Sequence, residues 1–232
     1  SDLEGAATIG ERIYWISSHG RNGKGEEQER RYRFFATEAL KREPWIRPVG
    51  KPYTRMLDDL IAADELKPYK LAEAASRAPK LDGGFNIEGL AATPEGDLLI
   101  GLRNPAPEGK ALVVHLRNPA EVVEGEKAQF GQVAELDLGG RAIRSIELVG
   151  LAYMIVAGPT GKTGDFALYR WSGNADEAPL ELGHVDFREA RPEAIFQIPG
   201  THMVQILSDD GGDHCKDIPE EEQSFQSVVV RL

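Results

Sequence analysis

A glutamate recurs along this chain in one local setting, and a repeat of that kind narrows the fold more than any other feature. It stands in Asp2-Leu3-Glu4-Gly5-Ala6-Ala7 and again in Asn86-Ile87-Glu88-Gly89-Leu90-Ala91. It returns in weaker form in Arg144-Ser145-Ile146-Glu147-Leu148 and Arg191-Pro192-Glu193-Ala194-Ile195. Each glutamate opens the same succession. A glycine follows at Gly10, Gly96, Gly150 or Gly200. Next comes an apolar run, Ile13–Ile16, Leu98–Ile100, Tyr153–Val156 or Met203–Leu207, and then a polar loop. A further short run closes each unit, at 32–36, 111–116, 166–171 and 227–232. Short β-branched or aromatic runs bounded by Gly, Pro, Asn and Asp predict strands and turns. Fourth strands are predicted at 132–138 and 180–187.

Units of three or four strands, roughly 45 residues each, match the blades of a β-propeller. The competing architecture is a β-sandwich, which also has many short strands. A sandwich has no reason to repeat a carboxylate, so the predicted class is an all-β propeller. The 232 residues form one domain in this reading, with four blades visible of about five in the complete fold. The first residues lead straight into an inner strand, and the last look like a third strand without a fourth. Open sheet edges invite association. Closure of the ring is therefore expected from an N-terminal blade or strand preceding Ser1, or from a second chain.

The segment at about 51–79 breaks the β pattern. Tyr53, Met56, Leu57, Leu60 and Ile61 fall at helical spacing, and Pro52 suits a helix start. Leu71, Ala74 and Ala75 suggest a second short helix. The insertion reads as a surface decoration on one blade edge, or as a lid over one face of the ring.

The formal net charge is −11. Nucleic acid and anionic membrane both demand clustered Lys and Arg, so neither is an expected partner. No apolar run reaches the length of a bilayer span, and a soluble protein, cytoplasmic or periplasmic, is expected. Cys215 is the single cysteine, which excludes an internal disulfide.

In a propeller blade the start of the first strand and the end of the second share one mouth. The polar loops are therefore expected to surround the ring of Glu4, Glu88, Glu147 and Glu193. They bring His19, Arg21, Asn22, Arg103, Asn104, Asp209 and Asp210, with Arg144 and Arg191 nearby. Two readings compete. In one, the glutamates hold a hard cation such as Ca²⁺ or Mg²⁺. His19, Glu88 and Asp209 then work as catalytic groups of a metal-dependent hydrolase, such as a phosphoesterase. Arg21, Asn22, Arg103, Asn104 and Asp210 hold the substrate, with arginine gripping an anionic group. In the other, the glutamates fasten blade to blade by accepting hydrogen bonds from backbone or from an arginine of the next blade. The mouth then binds a small anionic ligand or metal without chemistry.

Weaker signals remain. Gly158-Pro159-Thr160-Gly161-Lys162-Thr163-Gly164 carries the Gly-Lys-Thr of a phosphate-binding loop without its first glycine or its helix. Asp209 to Cys215 is rich in metal-ligand types but lacks calcium-loop spacing. His115 and His184 fall within strand patterns and read as surface or core residues.

The sequence resembles a bacterial family known only as a domain of unknown function. The residues that carry the likeness are the Glu4 and Glu88 motifs above, Ile13 to Asn22, Leu99 to Pro105, Arg144 to Glu147, Val156 to Pro159 and Gly164 to Trp171. The resemblance spans essentially the whole chain. It implies a propeller-like fold and a further N-terminal blade-like segment, and it brings no known activity. More distantly the pattern is similar to phytase-like and esterase-like propellers, which place acidic residues at one mouth.

Overall fold

The computed structural model describes residues 2–183, 185–187, 190–210 and 215–232. Its strands form four antiparallel sheets, each running in chain order from an inner to an outer strand. Sheet 1 contains β1 (Leu3–Ile9), β2 (Arg12–Ser17), β3 (Phe34–Ala39) and β4 (Ile46–Tyr53). Sheet 2 contains β5 (Asn86–Ala92), β6 (Leu98–Asn104), β7 (Ala111–Leu116) and β8 (Phe130–Leu136). Sheet 3 contains β9 (Ala142–Val149), β10 (Ala152–Gly158), β11 (Ala167–Trp171) and β12 (Leu180–Glu181). Sheet 4 contains β13 (Pro192–Gln197), β14 (Met203–Ser208) and β15 (Ser227–Arg231). The first strands lie innermost, β1 against β5, β5 against β9 and β9 against β13. The chain is a β-propeller of four sheets set about a common axis.

The repeated grammar has a local cause. Gly10, Gly96, Gly150 and Gly200 sit in the hairpins between first and second strands at φ of 61°, 93°, 65° and 74°. That left-handed region suits glycine and strains residues with a Cβ. The second strands β6 and β10 are buried on both faces, which is why they read as unbroken apolar runs.

Three apolar layers hold the sheets together. Tyr14, Ile16 and Phe34 of sheet 1 meet Leu90, Ile100 and Val114 of sheet 2. Leu99 and Val113 on the other face of sheet 2 meet Ile143, Tyr153 and Ile155 of sheet 3. Met154 and Val156 of sheet 3 meet Ile195, Val204 and Ile206 of sheet 4. Among the described residues no such layer joins sheet 4 to sheet 1. A cavity of about 900 Å³ lies there, lined by Leu3 to Thr8 and Trp15 on one side and by Glu193 to Phe196 and Leu207 on the other. Phe196, Val229 and Phe225 are 38%, 53% and 60% exposed along that seam.

The structure departs from the sequence reading in the first unit. β4 is a fourth strand that the pattern concealed, because it carries Pro48, Gly50 and Pro52. Proline cannot donate to a ladder, but an outer strand has a free side that tolerates it. Pro52 and Tyr53 therefore end a strand and do not start a helix. The helices are α1 (Met56–Ala62) and α2 (Leu71–Ala75), joined by a 3₁₀ turn over Asp64–Tyr69. Met56, Leu60, Leu66 and Leu71 are buried within the layer between sheets 1 and 2. The insertion is a wedge of that core, neither a decoration nor a lid. A third helix, α3 (Pro119–Glu124), packs on β4. The fourth strand of sheet 3 is shorter than expected, at two residues. The expectation for His184 lies outside the described residues. Among the described residues no helix is long and apolar enough to cross a membrane.

Candidate functional site

In every sheet the pairing of the inner strand slips by one residue near its start. Leu3 pairs Ser17 and Gly5 pairs Ile16, leaving Glu4 unpaired. Ile87 pairs Leu102 and Gly89 pairs Gly101, leaving Glu88. Ile143 pairs Ala157 and Ser145 pairs Val156, leaving Arg144. Pro192 pairs Ser208 and Ala194 pairs Leu207, leaving Glu193. A bulge of this kind re-aims the extra side chain out of the normal alternation. The repeat is thus a bulge that occurs four times, occupied by Glu4, Glu88, Arg144 and Glu193.

This corrects the expected ring of four carboxylates. Glu147 lies opposite Met154 within the regular ladder, three residues beyond the bulge. It borders the seam cavity and accepts a hydrogen bond from the Gln197 backbone N–H, and burial raises its pKa. The glycine after Glu4 and Glu88 also has a physical reason. A Cβ on Gly5 would stand 2.8 Å from Leu90 Cβ, and one on Gly89 would stand 2.9 Å from Ile146 Cγ2. Adjacent inner strands approach too closely at these points for a larger residue.

Arg144 is the centre of the arrangement. Its Nε lies 2.6 Å from Glu88 Oε2, a close ion pair whose angle is poor for a hydrogen bond. Its other guanidinium arm donates to Glu193 Oε1. One arginine of sheet 3 therefore clasps carboxylates of sheets 2 and 4. The guanidinium also lies 5.9 Å from the centre of the Phe166 ring. On its far side Glu88 Oε1 accepts from Arg103 Nη1 at 2.8 Å and from Asn86 Nδ2 at 2.6 Å. Arg103 is itself buried and donates through Nε to the carbonyls of Pro159 and Thr160 at 3.1 and 3.2 Å, and through Nη2 to that of Gly161. The segment that resembles a phosphate loop thus turns carbonyls toward a guanidinium. A phosphate cradle requires N–H groups there instead. Burial draws the Arg144 pKa down from its ordinary range, and the Glu88 carboxylate opposes that pull. Buried charges persist when paired and hydrogen-bonded in this way.

Glu4 differs. Burial, the charges of Glu88 and Asp2, and a hydrogen bond with Asp2 raise its pKa to about 9. The site therefore holds one proton-bearing carboxyl beside two carboxylates matched to arginine. Among the described residues no three of His, Cys, Asp and Glu stand close enough to hold a metal ion. Where the sequence reading set a divalent cation among four ligands, the structure places the Arg144 guanidinium between Glu88 and Glu193.

Two cavities of about 500 and 620 Å³ open above this junction and share Lys80, Arg103, Lys162, Glu193 and Asp209. The first adds Asp2, Glu4, Asn86 and Glu88. The second adds Arg144, Phe166, Phe187 and Arg191. Concave sites with converging polar groups are where ligands most often bind. Of the predicted residues, the structure brings Glu4, Glu88, Glu193, Arg103 and Asp209 to this mouth, with Arg144 and Arg191 beside them as expected.

The others are engaged elsewhere. Arg21 donates to the Ala75 and Gly25 carbonyls at 2.8 and 3.1 Å and pairs with Glu27 at 2.7 Å. Asn22 donates to Glu26 at 2.8 Å and caps the same loop. His19 is buried with Nδ1 2.7 Å from the Ser17 carbonyl, and burial lowers its pKa to about 4. Asn104 donates to the Pro79 and Thr160 carbonyls at 2.8 and 3.0 Å. Asp210 is buried and accepts from the Gln226 N–H at 3.4 Å. None of these five lines either mouth cavity. Among the described residues, Asn22 thus folds back on its own loop and Arg21 on that loop and the end of α2, and neither lines the mouth cavities. The acidic stretch after Asp210 lies largely outside the described residues. Sequence reasoning missed Lys80 altogether, since it stands in a connecting loop with no repeated neighbour. It also passed over Lys162, which sits in the Gly158 to Gly164 segment.

The family model described as "Protein of unknown function (DUF3616)" matches residues 50–223, three quarters of the chain. The chain belongs to this family. Sequence comparison finds no matching curated protein. Among solved structures it is similar to Trypanosoma rangeli sialidase in complex with 2,3-difluorosialic acid, at 12% identity and a TM-score of 0.41. That match covers 89% of this chain and 33% of the sialidase, so the DUF3616 chain spans about a third of that protein's length. It is also similar to a protein of unknown function from Bacteroides caccae, at 8% identity and a TM-score of 0.38, over 99% of this chain and 77% of that one. The propeller assignment rests on sheet order and on the packing of the inner strands.

Proposed function

We propose that this DUF3616 propeller binds a small anionic ligand at the mouth above the Arg144 junction, with Lys80 and Lys162 holding its charge. One observation carries the reading. Both lysines border both mouth cavities, and among the described residues neither makes a hydrogen bond or an ion pair. Two unmatched cations at one concave site are conspicuous in a chain of net charge −11. Arg103 and Arg144 lie beneath them, already matched to carboxylates, and supply structure to the floor of the site. In this reading Arg144, Glu88 and Glu193 fasten sheet to sheet, and the lysines of the loops hold the charge of the ligand. A metal-dependent hydrolase at the same mouth has no comparable support, because two of the four glutamates that would hold the metal, Glu88 and Glu193, already clasp Arg144.

Calorimetric titration with acetate, inorganic phosphate, Ca²⁺ and Mg²⁺ tests the proposal. The expected result is anion binding that weakens about tenfold or more in the Lys80→Met/Lys162→Met variant, consistent with loss of charge-assisted hydrogen bonds. Anion binding unchanged in that variant, or heat only with the divalent cations, would overturn it.

A further inference from the structure

We propose that the ligand of this mouth is a small polyhydroxylated acid, with its anionic group between Lys80 and Lys162 and its hydroxyl groups on Glu4, Glu193 and Asp209. The inference rests on the anion reading above and adds the chemistry of the remainder of the ligand. The cavity beside the lysines is rich in acceptor oxygens, and most of their charge is already balanced. Glu88 is matched by Arg103 and Arg144, and Glu193 by Arg144. Asp2 is matched by Arg31 at 2.9 Å. Glu4 keeps its proton at neutral pH, with its pKa at about 9.

The charge state selects among ligand parts. A second anionic group would meet carboxylate oxygens that offer it no donor. A cationic group gains most from unmatched carboxylates, and here, besides the proton-bearing Glu4, only Asp209 lacks an ion-pair partner among the described residues. Even Asp209 is close enough to act on Arg144. Hydroxyl groups suit the site best. They donate to carboxylate oxygens whether or not the charge is balanced, and to the free oxygen of the protonated Glu4 carboxyl, whose own proton bonds Asp2. Glu4, Glu193 and Asp209 line both this cavity and the one at the seam. A ligand of several hydroxylated carbons therefore has room to extend from the lysines along this acceptor row.

The test is calorimetric competition among glucuronate, acetate and alanine, on the wild type and on Glu4→Ala, Glu4→Gln and Asp209→Ala, with thermal melts to confirm that each variant folds. Glucuronate is expected to bind at least about tenfold more tightly than acetate. Glu4→Ala and Asp209→Ala should remove that advantage and leave acetate unchanged. Glu4→Gln, which keeps a neutral donor and acceptor, should retain it. Equal affinities for glucuronate and acetate, or tighter binding of alanine, would overturn the hydroxyl assignment and leave the anion reading standing. Failure of every anion to bind in a lysine-dependent way would overturn both.

Discussion

Two regions of this molecule place the same residue type at the same backbone position with opposite results. Glu88 lies where sheets 2 and 3 meet and where an arginine enters from each side, Arg103 from its own sheet and Arg144 from the next. Glu4 occupies the equivalent bulge at the seam, where sheet 4 does not close on sheet 1, and no arginine pairs with it among the described residues. The first is paired with two arginines in a buried network. The second holds its proton to a pH of about 9. The bulge fixes where the side chain points, and the neighbouring sheet decides its charge. A repeated residue is therefore not a repeated function.

The largest effect should come from removing the guanidinium that makes the difference. Arg144→Met leaves Glu193 without its partner and Glu88 with one arginine in place of two. Breaking a buried ion pair from one side costs about 3–5 kcal/mol. Urea denaturation should record a loss of that size. Adding Glu193→Gln should recover part of it, because the orphaned charge disappears, while Glu88 stays matched by Arg103. A loss below about 1 kcal/mol, the range of surface pairs, would show that the clasp contributes little and that apolar layers alone join sheets 2, 3 and 4.

The apolar faces give a second contrast. Ile155 is fully buried between sheets 2 and 3, whereas Val229 is 53% exposed on the open face of sheet 4. Ile155→Ala should cost about 2–5 kcal/mol through lost burial and cavity formation. Val229→Ala should stay within about 0.5 kcal/mol, as exposed substitutions do. Denaturation of the two variants side by side measures the difference between a closed and an open interface. A cost for Val229→Ala near that of Ile155→Ala would mean that the seam face is covered in solution.

The legibility of the sequence follows the same division. The four-unit architecture could be read because hairpin glycines and doubly buried second strands leave local marks, as at Gly96 and β6. β4 could not, because an outer strand tolerates the prolines that usually argue against one. The mouth was legible to the extent that bulge residues and second-strand ends share it, which locates Glu4, Glu88, Glu193, Arg103 and Asp209. Arg144 teaches most, since it was expected near the mouth but not as the bulge residue itself. The third unit offered both Arg144 and Glu147, and identity of residue type pointed to the glutamate. Pairing register, which a single sequence does not display, assigns the arginine. Lys80 reaches the mouth from a loop after the helical wedge, a placement set by tertiary packing alone.

The last contrast concerns two groups that both belong to sheet 1 and its loop. Glu4 has a folded pKa of about 9 against an ordinary 4.5, so the folded state binds the extra proton between those values. Stability from this group is fully present below about pH 4.5 and declines as pH rises toward 9. His19 runs the other way. Burial holds it at about 4 against an ordinary 6.5, so the unfolded state binds the extra proton in that interval and stability rises with pH across it. Between pH 4.5 and 6.5 the two oppose, and the wild-type melting temperature should be nearly flat there before falling toward pH 9. Glu4→Gln should expose the rise due to His19 below pH 6.5 and remove the fall above it. His19→Gln should instead let the decline begin near pH 4.5. Thermal melts from pH 4 to 9 on the three proteins separate these terms. A Glu4→Gln profile that still falls between pH 7 and 9 would show that Glu4 is ionised in the folded protein, and that the seam supplies it with a partner as the closed interfaces supply Glu88.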